Sequence, residues 1–99
     1  MSIEDITNPR VFKFLFDVTD GVLSVNTTGI VTRFLDAKLQ GESQLSVWAE
    51  MIPSCLRSKV ECVLARTGDE VPRKFQYIST LHDDHGLVYH VYARSEMKK

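Results

Sequence analysis

Two alternating apolar runs near the end of the chain, residues 75–81 and 87–94, are joined by His82-Asp83-Asp84-His85-Gly86. Successive side chains of a strand point to opposite faces, so a period of two on both sides of an Asp-rich, Gly-ended link specifies an antiparallel hairpin. In the second run Leu87, Tyr89, Val91 and Ala93 alternate with Val88, His90, Tyr92 and Arg94. Apolar or aromatic residues thus occur on both faces, the pattern of a strand sheltered on two sides, which places this run centrally in its sheet.

A second hairpin is expected near the start. Gly21 to Asn26 and Ile30 to Leu35 read as its strands, with Asn26-Thr27-Thr28-Gly29 as the turn and Gly29 supplying a positive φ. Leu23 and Val25 share one face of the first strand, with Val22 and Ser24 on the other. The remaining segments read as helices. Asn8-Pro9 is a helix start, Asn as cap and Pro in the first turn. At 100° per residue, Val11, Phe14, Leu15 and Val18 form one stripe, and Phe12 and Phe16 a second beside it. Lys13 and Asp17 make an i,i+4 pair, and Asp20-Gly21 ends the helix. Between Asp36 and Ile52 the signal is weaker; Gly41 breaks it, and a short helix from Ser43 to Met51 buries Trp48. After Pro53, residues 54–67 read as a helix closed by Gly68, with Leu56, Val60, Val63 and Leu64 inward. Cys55, Ser58, Cys62 and Ala65 fall on its other side.

The composition bounds the function. Ninety-nine residues, 43% apolar and 25% charged, make one globular domain. Thirteen acidic against twelve basic residues leave a net charge of -1, without the positive excess that drives phosphate binding, so direct nucleic-acid binding is not expected. No apolar run approaches the roughly 20 residues of a membrane helix. The start, Met1-Ser2-Ile3-Glu4-Asp5, lacks the basic residues and apolar core of a signal peptide, which points to the cytoplasm. Two cysteines are too few for a disulfide framework, and on one helix Cys55 and Cys62 would lie about 10 Å apart, too far to bridge.

Candidate chemistry is sparse. His82, Asp83, Asp84 and His85 carry metal-ligating atoms, but four consecutive residues do not readily converge on one ion, and turn chemistry explains them. His90 suits either a ligand hydrogen bond or a structural one. Cys55, at a predicted helix start near Arg57 and Lys59, is the better of the two thiols for reactivity, with an inert small residue as the simpler reading. No Gly-x-Ser-x-Gly, His-Glu-x-x-His or Cys-x-x-Cys motif is present, and neither catalysis nor a cofactor is expected.

The segment from Asp20 to Val31, DGVLSVNTTGIV, resembles the opening hairpin of PAS sensor domains, and Asp83-Asp84-His85-Gly86-Leu87-Val88 resembles their last hairpin. The resemblance spans about residues 9 to 97. It departs from the family in three ways. Ser95-Glu96-Met97 stands in place of the closing Asp-Ile-Thr; only a stub, Asp69 to Pro72, fits a fifth strand; and the reactive Cys and helix His of flavin- and haem-binding members are missing. The resemblance implies an α+β fold: an antiparallel sheet of four clear strands with helices on one face. A cap-helix region (1–20) would precede the core (21–95) and a short tail (96–99) would follow it. It also implies a regulatory sensor or dimerisation domain of a signalling or transcription-regulating protein, relaying small-molecule binding or partner contact to an effector domain. Homodimerisation through Phe12 and Phe16 on the first helix is expected. A roadblock- or profilin-like interaction scaffold without a ligand is the alternative.

Overall fold

Phenylalanine recurs at every second position through Phe12, Phe14 and Phe16. That is the period of a strand, and Arg10–Asp17 (β1) is one. The computed structural model describes residues 8–19, 21–41 and 43–97, and among them the chain forms strands and no helix. After β1 come Leu23–Gln40 (β2), Gln44–Ala65 (β3), Gln76–His82 (β4) and Val88–Met97 (β5).

All pairings are antiparallel, and β3 organises them. One of its edges pairs with β2 along nearly its whole length, through a hairpin turned at Gly41 (φ +67°). The other edge is divided. β1 pairs with Gln44 to Met51 and β5 with Ser58 to Ala65, while β4 lies outside β5. The final strand is therefore central, as its two-sided pattern requires.

A strand of 22 residues, laid straight, would span about 75 Å. The longest dimension of the molecule is 51 Å, because β3 bends sharply near its middle. At the bend β3 runs from Ile52 to Arg57 while its partner β2 runs only from Ile30 to Thr28, which sets Pro53, Ser54, Cys55 and Leu56 against Gly29 alone. Pro53 is tolerated there because a bulged segment needs no ladder hydrogen bond from it. Gly29 is required. Its φ is +122°, and a Cβ would lie 2.8 Å from Met51 Cε and 3.1 Å from the Ile52 carbonyl oxygen. The Ser58 hydroxyl donates to the Gly29 carbonyl at 2.6 Å and fixes the corner from inside.

The unequal count also reverses which side chains point inward. Before the corner the core takes Leu45, Val47, Ala49 and Met51; after it, Val60 and Cys62. β2 keeps pace through two smaller bulges, between Val31 and Arg33 and between Phe34 and Asp36, so that Phe34 and Ala37 both face the core. Bulges of this kind increase local twist, and together they curl the sheet into a half-barrel around one apolar interior. Phe14, Phe16, Leu23, Val91 and Ala93 complete that core.

Several expectations are corrected. The α+β, PAS-like architecture does not form: the cap helix is β1, and the helix of 54–67 is the corner and second half of β3. The part of the cap region at 1–7 and at Asp20, and the tail residues 98–99, lie outside the described residues. Asn26 to Gly29 is not a hairpin turn; β2 continues through it, and the positive φ of Gly29 serves the bend. Trp48 sits half-buried in β3 with the Lys13 ammonium 5.9 Å from its ring centroid, not on a short helix. The last hairpin, by contrast, forms in the expected segments, although a bulge between Tyr77 and Ser79 interrupts the alternation of β4 and turns both Ile78 and Leu81 toward the core. Leu23 and Val25 do face the core together, with Val22 and Ser24 exposed.

Gly29→Ala is expected to cost about 2–4 kcal/mol, combining an unfavourable φ with a clash against Met51 and the Ile52 carbonyl. Gly41→Ala, where nothing lies within 4 Å of the added Cβ, should cost about 1 kcal/mol from φ alone. Urea denaturation of the two variants checks the difference; equal losses would show that the corner is not tightly packed.

Candidate binding groove

Because β3 folds back, its two ends meet. Val18, which follows β1 and whose N–H donates to the Ser43 carbonyl at 2.7 Å, lines the same groove as Leu64 near the far end of β3. Leu39 from the end of β2 and Tyr89 from β5 complete an apolar floor. The groove encloses about 500 Å³, and a neighbouring pocket of about 380 Å³ shares Val18, Leu64 and Tyr89 with it and is also lined by Arg66 and Asp69.

The rim is polar and held by its own hydrogen bonds. In the β4–β5 turn the Asp83 carboxylate accepts from the N–H groups of His85 (2.8 Å) and Leu87 (2.9 Å). The Asp83 N–H donates to the Leu87 carbonyl at 3.0 Å, and the Gly86 N–H donates to the Asp83 carbonyl at 3.2 Å. Across the groove the Asp69 carboxylate accepts from the Arg66 N–H at 2.9 Å, and the Asp69 N–H returns a bond to the Arg66 carbonyl at 2.9 Å. These Asp side chains shape turns, as Asp commonly does through bonds to its neighbouring backbone.

The residues singled out from sequence are dispersed by the fold. His82 and His85 reach the rim. Among the described residues, no group of three or more His, Cys, Asp or Glu is placed to hold a metal ion. His90 lies on the outer face of β5, away from the groove. Its Nδ1 is 3.0 Å from Thr80 Oγ1 and its Nε2 3.4 Å from Thr67 Oγ1, while Tyr77 Oη lies 2.6 Å from the same Thr80 oxygen. This chain of hydroxyls satisfies both ring nitrogens and makes His90 a clasp between β5, β4 and the end of β3. On the same face Tyr92 packs edge-on against Tyr77, with centroids 5.6 Å apart. Arg94 bonds the nearly buried Glu61 at 2.8 Å and lies 5.1 Å from the Phe75 centroid.

Phe16 is 4% exposed and belongs to the core, so the pair of outward rings on a helix that motivated a Phe12/Phe16 interface does not exist; Phe12, at 40%, is the exposed member. Cys55 lies exposed in the corner and Cys62 is buried, both as free thiols. The floor residues Val18, Leu39 and Leu64 were not legible as a site, since nothing in their local spacing shows that the ends of β3 converge. The turn residues between the last two strands were the one part of the groove that composition marked.

No helix among the described residues is long and apolar enough to cross a membrane. One family model, described as a domain of unknown function (DUF7352), matches residues 7–99. No curated protein and no solved structure matches the chain.

Burial pushes the Cys62 thiol from an ordinary value of 9.0 up to about 12. The unfolded chain therefore releases this proton at lower pH than the folded one. Stability from this group is complete below pH 9 and is lost as the pH rises from 9 toward 12. A disulfide exchange reagent at pH 8 should modify one thiol per native chain, Cys55, and two in denaturant. Rapid native modification of Cys62 would contradict its burial.

Proposed function

The chain belongs to the DUF7352 family, and we propose that its domain is a non-catalytic binding module whose groove receives an apolar side chain from a segment of a partner protein. What supports this is the convergence of chain segments distant in sequence, at Val18, Leu39, Leu64 and Tyr89, on one apolar floor beneath a polar rim. A volume of about 500 Å³ is within the range of ordinary ligand sites, which combine apolar walls with a few placed polar groups. The rim turns are ordered by their own Asp carboxylates, so little conformational freedom remains to be lost on binding.

A regulatory role follows if the partner favours one of two states of a larger assembly, since only unequal affinity for two states transmits a signal. An intracellular setting belongs to the same proposal and is supported by the exposed free thiol of Cys55, which suits a reducing compartment.

Selection from a displayed random-peptide library should yield peptides sharing one large apolar anchor. Leu87→Asp and Tyr89→Ala should each weaken their binding at least tenfold, a loss of about 1.4 kcal/mol, with the fold retained. Both positions lie at the groove, and Leu87 is largely exposed, so its replacement does not disturb the core. Peptides whose affinity neither substitution changes would overturn the assignment. So would a small molecule retained in the groove in native mass spectrometry.

A further inference from the structure

β1 pairs with β3 along one edge, and no other strand pairs with it among the described residues. Its free edge carries no Pro or bulge, and Val11, Phe12 and Leu15 are exposed along it. Such an edge is a template for another strand. We propose that β1 pairs with β1 of a second copy of this chain, joining two half-barrels through a continuous antiparallel sheet.

The occupant and the register follow from symmetry and charge. Two identical strands paired antiparallel about a two-fold axis must be related by an axis along the sheet normal, so each inner face continues the other. Directly opposed residues then have the same parity. A register centred on Lys13 would set Lys13 against its own copy, and like charges directly opposed are unfavourable. Moving the centre to Phe14 removes that conflict. Phe12 then faces the partner's Phe16 on the inner side, covering the exposed ring of the phenylalanine triplet. On the outer side Lys13 faces the partner's Leu15, with the partner's Asp17 on one diagonal, a distance that long side chains bridge, and the partner's Lys13 moved from the directly opposed position to the other diagonal. A register centred on Leu15 would set Lys13 directly opposite the partner's Asp17 but pairs only Lys13 to Asp17 of each β1, whereas the register centred on Phe14 pairs Val11 to Asp17 and covers more of the strand's apolar surface.

The area covered by one short strand is small, so the dimer should be weak, with Kd on the order of 10–100 μM. Sedimentation of the full chain between about 1 μM and 1 mM should show a monomer–dimer equilibrium in that range. Asp17→Lys should weaken association at least tenfold while heteronuclear spectra show an intact fold. Adding Lys13→Asp to it, which exchanges the two charges, should restore association. In a Cys55→Ser background, Lys13→Cys protein mixed with Leu15→Cys protein should give the mixed disulfide dimer under mild oxidation. A wild-type chain that stays monomeric at 1 mM, a double variant no better than Asp17→Lys, or Lys13→Cys protein that cross-links to itself in preference to the mixture would each overturn the proposal.

Discussion

The 2.6 Å hydrogen bond from the Ser58 hydroxyl to the Gly29 carbonyl closes a corner on which every other part of the structure depends. A long two-stranded hairpin by itself has no interior. Setting Pro53 to Leu56 against one glycine bends the ladder, and the odd surplus of residues turns the second half of β3 over. The apolar residues on both sides of the corner therefore face one core. Only glycine fits at position 29, because the side chain of Met51 and the carbonyl of Ile52 already occupy the space that a Cβ would need. The buried Ser58 hydroxyl gives the Gly29 carbonyl the partner that the broken ladder denies it.

The groove is a geometric consequence of that corner. Without it, Val18 and Leu64 would sit near opposite ends of a long ribbon; with it, they share a floor. The same bend divides the far edge of β3 between β1 and β5. This leaves β1 at the margin of the sheet and places β5 between β3 and β4, where the inner side chains Val91 and Ala93 are fully buried. The outer face of that half is braced differently, by the Thr67–His90–Thr80–Tyr77 hydroxyl chain and the Glu61–Arg94 pair. The two ends of the half-barrel thus differ in chemistry: apolar and open at the groove, tightly bent and hydrogen-bonded at the corner.

The last hairpin was legible because β5 alternates cleanly with apolar residues on both faces and the turn residues are unambiguous; in β4 a bulge between Tyr77 and Ser79 breaks the alternation, so that Ile78 and Leu81 both pack against the core. Elsewhere the patterns misled for definite reasons. Bulges at the corner and along β2 insert extra residues into the period of two, so that the core-facing Val31, Phe34 and Ala37 recur every third residue, and the strand expected from Ile30 to Leu35 was ended short of Gln40. Leu56, Val60, Val63 and Leu64 stand at helical spacing without sharing a face: Leu56 is exposed in the corner, Val60 and Leu64 face the core, and Val63 lies on the opposite side of β3 beside Tyr92. Gly29 and Gly68 carried the right backbone signal, a positive φ, but were assigned to a hairpin turn and a helix end instead of a bend and a loop. Two clear strand signals were passed over: the alternation of Phe12, Phe14 and Phe16, outweighed by the Asn8-Pro9 helix start, and that of Leu45, Val47, Ala49 and Met51, read as a short helix. The groove was hidden for a different reason: it is made by the convergence of segments, which no local spacing records.

Nuclear Overhauser spectroscopy on methyl- and Tyr-labelled protein tests the corner most directly. Val18 and Leu64 are adjacent only if β3 folds back, since a straight strand would hold them roughly 65 Å apart. The account predicts cross-peaks that connect Val18, Leu64 and Tyr89 in the wild-type chain. A folded protein lacking them, or showing sequential amide contacts of a helix through residues 54–67, would contradict it.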